Sequence, residues 1–455
     1  MDVLFLLPGL ISLFLVIRGR IETALLSVYL PCLLLFPEGY AVRLPHLPPV
    51  SAAEGALIPI GVVALGRLAR NGLPSIMDIL VFLFVVSTTA TEVFRERVVT
   101  DGIFSAATSF IAIFFAYAAG RTMIEPNLRF AAVRRFVVLI LLLGPFGLYE
   151  WRIMQNFFGV IGQRVFGLAS VTSDVQIRSG HGRMAVSFGD CELAGIVFAM
   201  TAAMNAWLVH LRRWRSPVNF GNLLTRLEKF HVPGLLLMLY VFLTQSRGPE
   251  GALVVVLIIV QIPRFKNTKL AGIVVGILLT VAAIGAFGYL QRYTNVTEPG
   301  AQLSEQQGSA MYRREMLELY KPLVEAGGLL GWGVLSHPVL PGKFSIDNEF
   351  LFVHLCYGDA GYVLLVLIAA ESIRRLLSIA WRLKAREDQA FAISLLAALA
   401  ALWISLTTVY MGDQLPQIAF LIVGWSQSIV PGLIGAAPNQ EAAVATRFSF
   451  KRVFE

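Results

Sequence analysis

Residues 270–290 read LAGIVVGILLTVAAIGAFGYL, an apolar run without a single charge. A helix needs roughly 20 such residues to cross the hydrocarbon of a bilayer, and this run is long enough. Runs of the same kind recur on either side. Toward the N-terminus they fall at about 249–263, 232–246, 185–209, 136–150, 102–120, 74–91, 53–66, 21–37 and 3–17. Toward the C-terminus they fall at about 349–370, 389–411 and 414–434. The composition agrees: 56% of the 455 residues are hydrophobic and 15% are charged, where an ordinary soluble domain carries about 25% charged residues. The expectation is an all-α polytopic integral membrane protein with about 12–13 transmembrane helices.

No stretch is long enough for a separate soluble domain, so 1–435 reads as a single transmembrane domain and 436–455 as a basic tail. The chain starts Met1-Asp2 and turns apolar at once, without the basic n-region and small-residue cleavage site of a signal peptide. The start is therefore expected to remain as the first span. Every second loop is basic: Arg18 and Arg20; Arg67 and Arg70; Arg121, Arg129, Arg134 and Arg135; Arg212, Arg213, Arg215, Arg226 and Lys229; Arg264, Lys266 and Lys269; Arg374, Arg375, Arg382, Lys384 and Arg386; then Arg447, Lys451 and Arg452. By the positive-inside tendency these lie in the cytoplasm. The C-terminus is then inside and, with thirteen spans, the N-terminus outside. The net charge of +8 is spread between spans rather than gathered in a patch, so no nucleic-acid partner is expected. Cys32, Cys191 and Cys356 are far apart, lack a CxxC spacing, and read as packing residues.

Two outward loops, about 151–184 and 291–348, are too long to be connectors, and loops of that length usually carry function or disorder. In the second, Leu317, Tyr320, Leu323 and Val324 recur at helical spacing and predict an amphipathic helix from Met311 to Ala326, broken at Gly327-Gly328. Polar residues on the outward side cluster in three places. The first is Arg178-Ser179-Gly180-His181-Gly182-Arg183 with Asp190 and Glu192 beyond it. The second is Thr244-Gln245-Ser246-Arg247-Gly248-Pro249-Glu250, a hairpin bent at Ser246 to Pro249. The third runs from Arg313-Arg314 through Trp332 and His337 to Asp347-Asn348-Glu349.

Each has two readings. Arg178 and Arg183 serve either as solvated loop charges or as anion ligands. Arg247 either caps hairpin carbonyls or pairs with Glu250, or it is a functional charge, the default for an arginine at a membrane span. Arg313 and Arg314 either line a helix face with Glu315 and Glu318 or face a ligand. Asp347-Asn348 either caps the next helix or acts in chemistry. His337 and His354 read as a surface and a packed residue. No His, Asp and Glu set has metal-ligand spacing, and there is no Walker loop or GxSxG elbow, so no metal or other cofactor is expected.

Asp347-Asn348 followed after nine residues by Gly358-Asp359-Ala360-Gly361 resembles the HN-x9-GxxG pattern of the bacterial O-antigen ligase and O-antigen/exopolysaccharide polymerase superfamily. Ser246-Arg247-Gly248 resembles that family's SRG between two short spans, and Leu330-Gly331-Trp332-Gly333 its GxG turn. Gly182-Arg183 to Gly195 is similar to its arginine-bearing start of a middle span. The likeness covers about 178–370. The ligases' histidine is Asp347 here, and aspartate at that place looks more like the polymerases.

The resemblance implies a glycosyltransferase of the bacterial cytoplasmic (inner) membrane, working on its periplasmic side. Its donor would be a polyprenyl-pyrophosphate-linked oligosaccharide and its acceptor another glycan or, for a ligase, a lipid core. A flippase and a chain-length regulator would be its companions, and membrane lipids its surroundings. Arg247 and Asp347 are the candidate catalytic residues. Arg178, Arg183, Arg313, Arg314, Asn348, Trp332 and His337 are candidates for binding diphosphate and sugar. Guanidinium groups match phosphate oxygens in pairs and stay charged, and a carboxylate can take the proton from an attacking hydroxyl. A transporter or flippase of lipid-linked oligosaccharide is the competing class, but it needs charges reachable from both sides.

A cysteine placed at Gln302 should react with an impermeant maleimide in intact cells, and labelling only after membrane disruption would reverse the orientation.

Overall fold

A computed structural model describes residues 2–429, except 44–47, 71–72, 96–98, 169–170, 172, 212–231, 295–304 and 342–344. The basic loop at Arg212 to Lys229, Gln302 and the 436–455 tail lie outside the described residues. Within them the chain is almost wholly helical. Eight helices are long and apolar enough to cross a membrane: α3 (Ala52–Arg70), α4 (Ile76–Arg95), α5 (Thr100–Met123), α6 (Arg129–Ile153), α8 (Cys191–His210), α11 (Thr268–Thr294), α13 (Glu349–Arg382) and α14 (Arg386–Ser405). The other expected spans are helical but shorter: α1 (Leu7–Ile17), α2 (Ile21–Leu35), α9 (Val232–Leu243), α10 (Arg247–Ile259) and α15 (Leu415–Gln427). Two further helices belong to the outward loops: α7 (Phe157–Phe166), which the sequence did not suggest, and α12 (Glu305–Gly327), which contains the expected Met311–Ala326. Strands are limited to two short antiparallel pairs, Ala41–Val42 with Val50–Ser51 and Ile177–Arg178 with His181–Gly182.

α8 and α14 form the centre. Nearly every residue of both is buried, and the Ser394 hydroxyl on α14 donates to the Ala203 carbonyl of α8 (2.6 Å). α10 and α13 pack on α14, α9 on α8, α4 on α13, and α5 lies against α15 and α3. α11 is the exception: from Leu270 to Leu290 no residue is buried.

The connections sort to two ends. At one end, Gln414 Nε2 donates to the carbonyls of Phe36 (2.8 Å) and Ser187 (2.7 Å), Arg183 Nε to that of Thr244 (2.9 Å), and the Tyr40 hydroxyl to that of Phe158 (2.7 Å). The Glu349 N–H reaches the carbonyls of Leu406 (2.9 Å) and Val409 (3.1 Å) there. The other end gathers Arg67, Arg121, Arg129 and Arg375: Arg129 pairs with Asp388 (3.5 Å), and both Arg121 (2.6 Å) and Arg375 (3.1 Å) donate to the Gln427 carbonyl. Loops that the charge pattern assigns to opposite faces are thus separated in space.

Two boundaries differ from the sequence reading, and a third is fixed within it. The middle span begins at Cys191 rather than near 185, because Gly189 takes φ 70° and Asp190 caps the helix through its side chain. The hairpin turns at Thr244 to Ser246, with Gln245 at φ 51°, and Arg247-Gly248-Pro249 opens α10. The cap of α13 is Asn348, whose Oδ1 accepts from the Leu351 N–H (3.0 Å), while Asp347 stands one residue before it.

α13 is broken at Gly358, whose φ 64° and ψ −164° no helix accommodates. The backbone groups freed by the break pair with the turn after α12. Trp332 N–H donates to Leu355 O (3.1 Å) and Gly333 N–H to Cys356 O (2.9 Å), while Asp359 and Ala360 N–H donate to Gly328 O (3.1 Å) and Leu329 O (3.2 Å). From α4, Thr91 Oγ1 donates to Leu330 O (2.7 Å) and Glu92 accepts from Val334 N–H (3.1 Å). A Cβ on Gly331 or Gly358 would overlap the other segment's backbone. Gly358→Ala and Gly331→Ala should each therefore cost at least about 3 kcal/mol, from strain at positive φ together with overpacking. Gly251→Ala, which meets open space on α10, should melt at or above the wild-type temperature in detergent. Wild-type melting by Gly358→Ala would show that this contact holds nothing in place.

Candidate functional site

Ser179 and Gly180 both take positive φ (52° and 77°), the requirement of a tight two-residue hairpin. That hairpin lays Arg178 and Arg183 against the end of α9. The last carbonyls of a helix have no partner within it and carry partial negative charge. Here Arg178 Nη1 donates to Gln245 O (2.6 Å) and Arg183 Nε to Thr244 O (2.9 Å). Arg183 is only 5% exposed and also donates to Gln176 Oε1, which excludes a solvated loop charge. Burial, then the neighbouring Arg183 and Arg247, hold the Arg178 guanidinium below its ordinary pKa.

With the carbonyls satisfied from the hairpin, Arg247 has nothing to cap. Its side chain is exposed and makes no hydrogen bond or ion pair with the described residues, Glu250 included. A strong, fixed cation is thereby presented at the first turn of α10, close enough to act electrostatically on both Arg178 and Glu250.

Glu192, in the first turn of α8, joins the first outward cluster to the third. It lies 3.6 Å from Arg183 and 3.9 Å from Arg313. The arginine pair divides: Arg313 turns to Glu192, while Arg314 stays on the helix face with Glu318 (3.4 Å). Asp347 is half-buried, takes a hydrogen bond from the Ser345 hydroxyl, and is near enough to act on Glu192 and Tyr410. The connection between α14 and α15 then ties the second cluster in. Gly248 packs on Thr408, and the Glu349 carboxylate accepts from the Met411 N–H (2.6 Å). Gly248, next to Arg247, and Glu349, two residues beyond Asp347, therefore meet one short loop, 406–411.

The remaining candidates are engaged elsewhere. Trp332 packs with Met316, Tyr320, Val324 and Leu355, and its indole N–H donates to Leu323 O (2.8 Å). The site lacks it as a free stacking platform. Asn348 spends its Oδ1 on the cap. His337 Nδ1 lies 2.6 Å from Val334 O and its ring meets Phe352 edge-on. His354 is more than a packed side chain, since it contacts Asp359 (2.8 Å) and stacks on Tyr362. The three cysteines are buried and free.

Sequence reasoning missed a second part of this end. A cavity of about 390 Å³ is walled by Glu38, Asp174, Asp190, Tyr410, Asp413 and Gln414, with Arg183 at its edge. Burial, then Glu54 and Asp413, push the Glu38 carboxyl up to about 8. Burial, then Asp190, push Asp413 up to about 6. Burial, then Asp413 and the carboxylates of Asp190, Glu38 and Asp347, push Tyr410 up to about 12. The only signal in the sequence was an acidic residue in each of two short connections between spans. Among the described residues no three His, Cys, Asp or Glu side chains group as metal ligands would. The chain matches no known family model and no curated protein.

The folded protein holds protons on Glu38 and Asp413 that an unfolded chain releases near pH 4. Their stabilising contribution is complete below that pH, and is lost as pH rises through about 6 for Asp413 and about 8 for Glu38. Melting temperature in detergent should fall from pH 5 to pH 8, and Glu38→Gln should remove the upper part of the fall. Identical pH profiles for wild type and Glu38→Gln would contradict this.

Proposed function

We propose that the protein is a membrane glycosyltransferase that polymerises surface polysaccharide repeat units, O-antigen or exopolysaccharide, from a polyprenyl-pyrophosphate-linked donor. The bundle end bearing Arg247 and Asp347 is then the periplasmic face of the inner membrane. One observation carries the reading: three outward segments far apart in sequence converge so that the stretches bearing an unpaired guanidinium and a half-buried, non-capping carboxylate meet the same loop. That is the pairing which transfer from a lipid diphosphate requires, and it supports the resemblance noted in the sequence.

In the reaction, an acceptor hydroxyl oxygen bonds to the anomeric carbon of the donor while the bond from that carbon to the diphosphate oxygen breaks. The bonding electron pair leaves with the diphosphate, where negative charge builds. Arg247, exposed and free of internal partners, is available to meet that charge with both arms of its guanidinium. Asp347 takes the hydroxyl proton. Arg178 and Arg183 fix the turn that presents Arg247, and Arg313 adds positive charge through Glu192.

The position of the cap sharpens the test. Asn348 carries the cap, so Asn348→Ala should cost about 1 kcal/mol of stability, while Asp347→Asn should leave stability unchanged. Transfer by Asp347→Asn from a purified polyprenyl-pyrophosphate oligosaccharide, followed by mass spectrometry with EDTA present, should fall about 10²–10⁴-fold, the range for loss of a general base. Arg247→Lys should insert normally and lose most activity, because the charge remains and the bidentate fork does not. Partial rescue in Asp347→His would support a role shared with the ligases' histidine. Wild-type turnover by Asp347→Asn would remove it as the base and make His337 the next residue to test.

A further inference from the structure

The cavity that Arg183 helps to line is rich in acceptors. Glu38, Asp174, Asp190 and Asp413 bring carboxylates to its wall. The Arg183 guanidinium gives Nε to Thr244 O and Nη1 to Gln176 Oε1, while Nη2, 3.6 Å from Glu192, is buried without a hydrogen-bond partner. Gln414 supplies a separate observation. It is only 1% exposed, and its Nε2 donates to two carbonyls, which fixes the orientation of the amide. Its Oε1 is left buried without a partner, as is Glu38 Oε2. Buried acceptors in native proteins are nearly always satisfied, so a donor-bearing occupant is called for. A diphosphate, all acceptors and negative charge, has no donor for Gln414 Oε1, whereas a sugar hydroxyl can donate to it and accept from Arg183 Nη2.

We infer that this cavity is the acceptor-saccharide subsite, in which sugar hydroxyls donate to Asp190, Asp413, Glu38 and Gln414. The inference rests on the glycan-transfer reading and assigns the two substrates to two regions: the donor diphosphate at Arg247, the acceptor sugar in the carboxylate-lined cavity. Its volume lies in the range of small-molecule sites. The raised proton affinity of Glu38 and Asp413 agrees, because hydroxyl donors would relieve the same crowding of negative charge that protons relieve. Hydrogen bonds to ionised acceptors are about twice as strong as neutral ones, so at a pH above about 8, where Glu38 and Asp413 are both ionised, exchanging carboxylate for amide should weaken binding while preserving shape.

Asparagine keeps the cap that Asp190 provides and tolerates the φ of 47° at Asp413, so the double variant Asp190→Asn/Asp413→Asn should fold. Glu38→Gln is a second, independent variant. The probe is the mixture of lipid-free oligosaccharides released by mild acid from the host's own polyprenyl-linked pool, added to the full-length protein in nanodiscs and read by mass spectrometry of the retained fraction. Wild type should retain oligosaccharide and the double variant should bind it at least tenfold more weakly, at unchanged melting temperature. Glu38→Gln should weaken binding in the same direction. No retention by wild type, or equal affinity in all three proteins, overturns the inference. Transfer by wild type is scored separately. Active enzyme whose acceptor KM is unchanged in the variants sinks the cavity and spares the function. Retention without transfer sinks the function and spares the cavity.

Discussion

A helix broken inside packed protein leaves backbone groups out of reach of water, so each group freed at the buried Gly358 must find a partner within the protein. The turn at 328–333 supplies those partners, accepting from the N–H groups of Asp359 and Ala360 and donating to the carbonyls of Leu355 and Cys356. The two segments touch backbone to backbone, which only glycine at Gly331 and Gly358 allows. This contact fixes the end of α12 against the start of α13 and so the path of the chain that carries Arg313, Ser345 and Asp347. Glycine patterns that read in the sequence as marks of chemistry are here marks of close approach. Trp332, drawn into the same contact, packs and hydrogen-bonds where a sugar-stacking role had been expected.

The arginines at this end show how one residue type takes opposite roles. The carbonyl end of α9 needs donors, and the hairpin at 177–182 delivers two guanidinium groups to it. Arg247 is the residue nearest to that end in sequence, and it is left over because more distant residues satisfy the carbonyls first. A buried charge is tolerated when paired and hydrogen-bonded: Arg183 meets that condition through Thr244, Gln176 and Glu192. Arg247 meets the membrane condition differently, by facing outward from a helix start.

What the sequence made legible follows from what is local. Hydropathy located the spans and basic loops sorted their ends, because both signals are carried by contiguous residues. The amphipathic spacing of Leu317, Tyr320, Leu323 and Val324 located α12 for the same reason. Boundaries set by one residue's backbone, such as Gly189 or Gln245, shifted by a few positions, and the cap fell on Asn348 rather than Asp347 because either residue suits it. Glu38, Asp190 and Asp413 were illegible as a group. They come from three connections joined only by hydrogen bonds such as those of Gln414 to Phe36 and Ser187, and no spacing in one chain encodes that.

Hydropathy also failed to rank the spans by what they enclose. α11, the run most clearly suited to a bilayer, is exposed along its apolar length, whereas α8 and α14 are enclosed. Small residues do not by themselves explain the difference: Ala194, Ala199 and Ala203 on α8 and Ala392, Ala397, Ala398 and Ala401 on α14 are buried where neighbours approach, whereas Ala271, Gly272, Gly276, Ala282 and Ala283 on α11 are not. The outward ends of these two helices are where Glu192 begins one and the 406–414 connection leaves the other. Charges that must be held in place despite their desolvation cost thus sit at the ends of two enclosed helices. Side chains locked by packing hold a site to its geometry better than loops do.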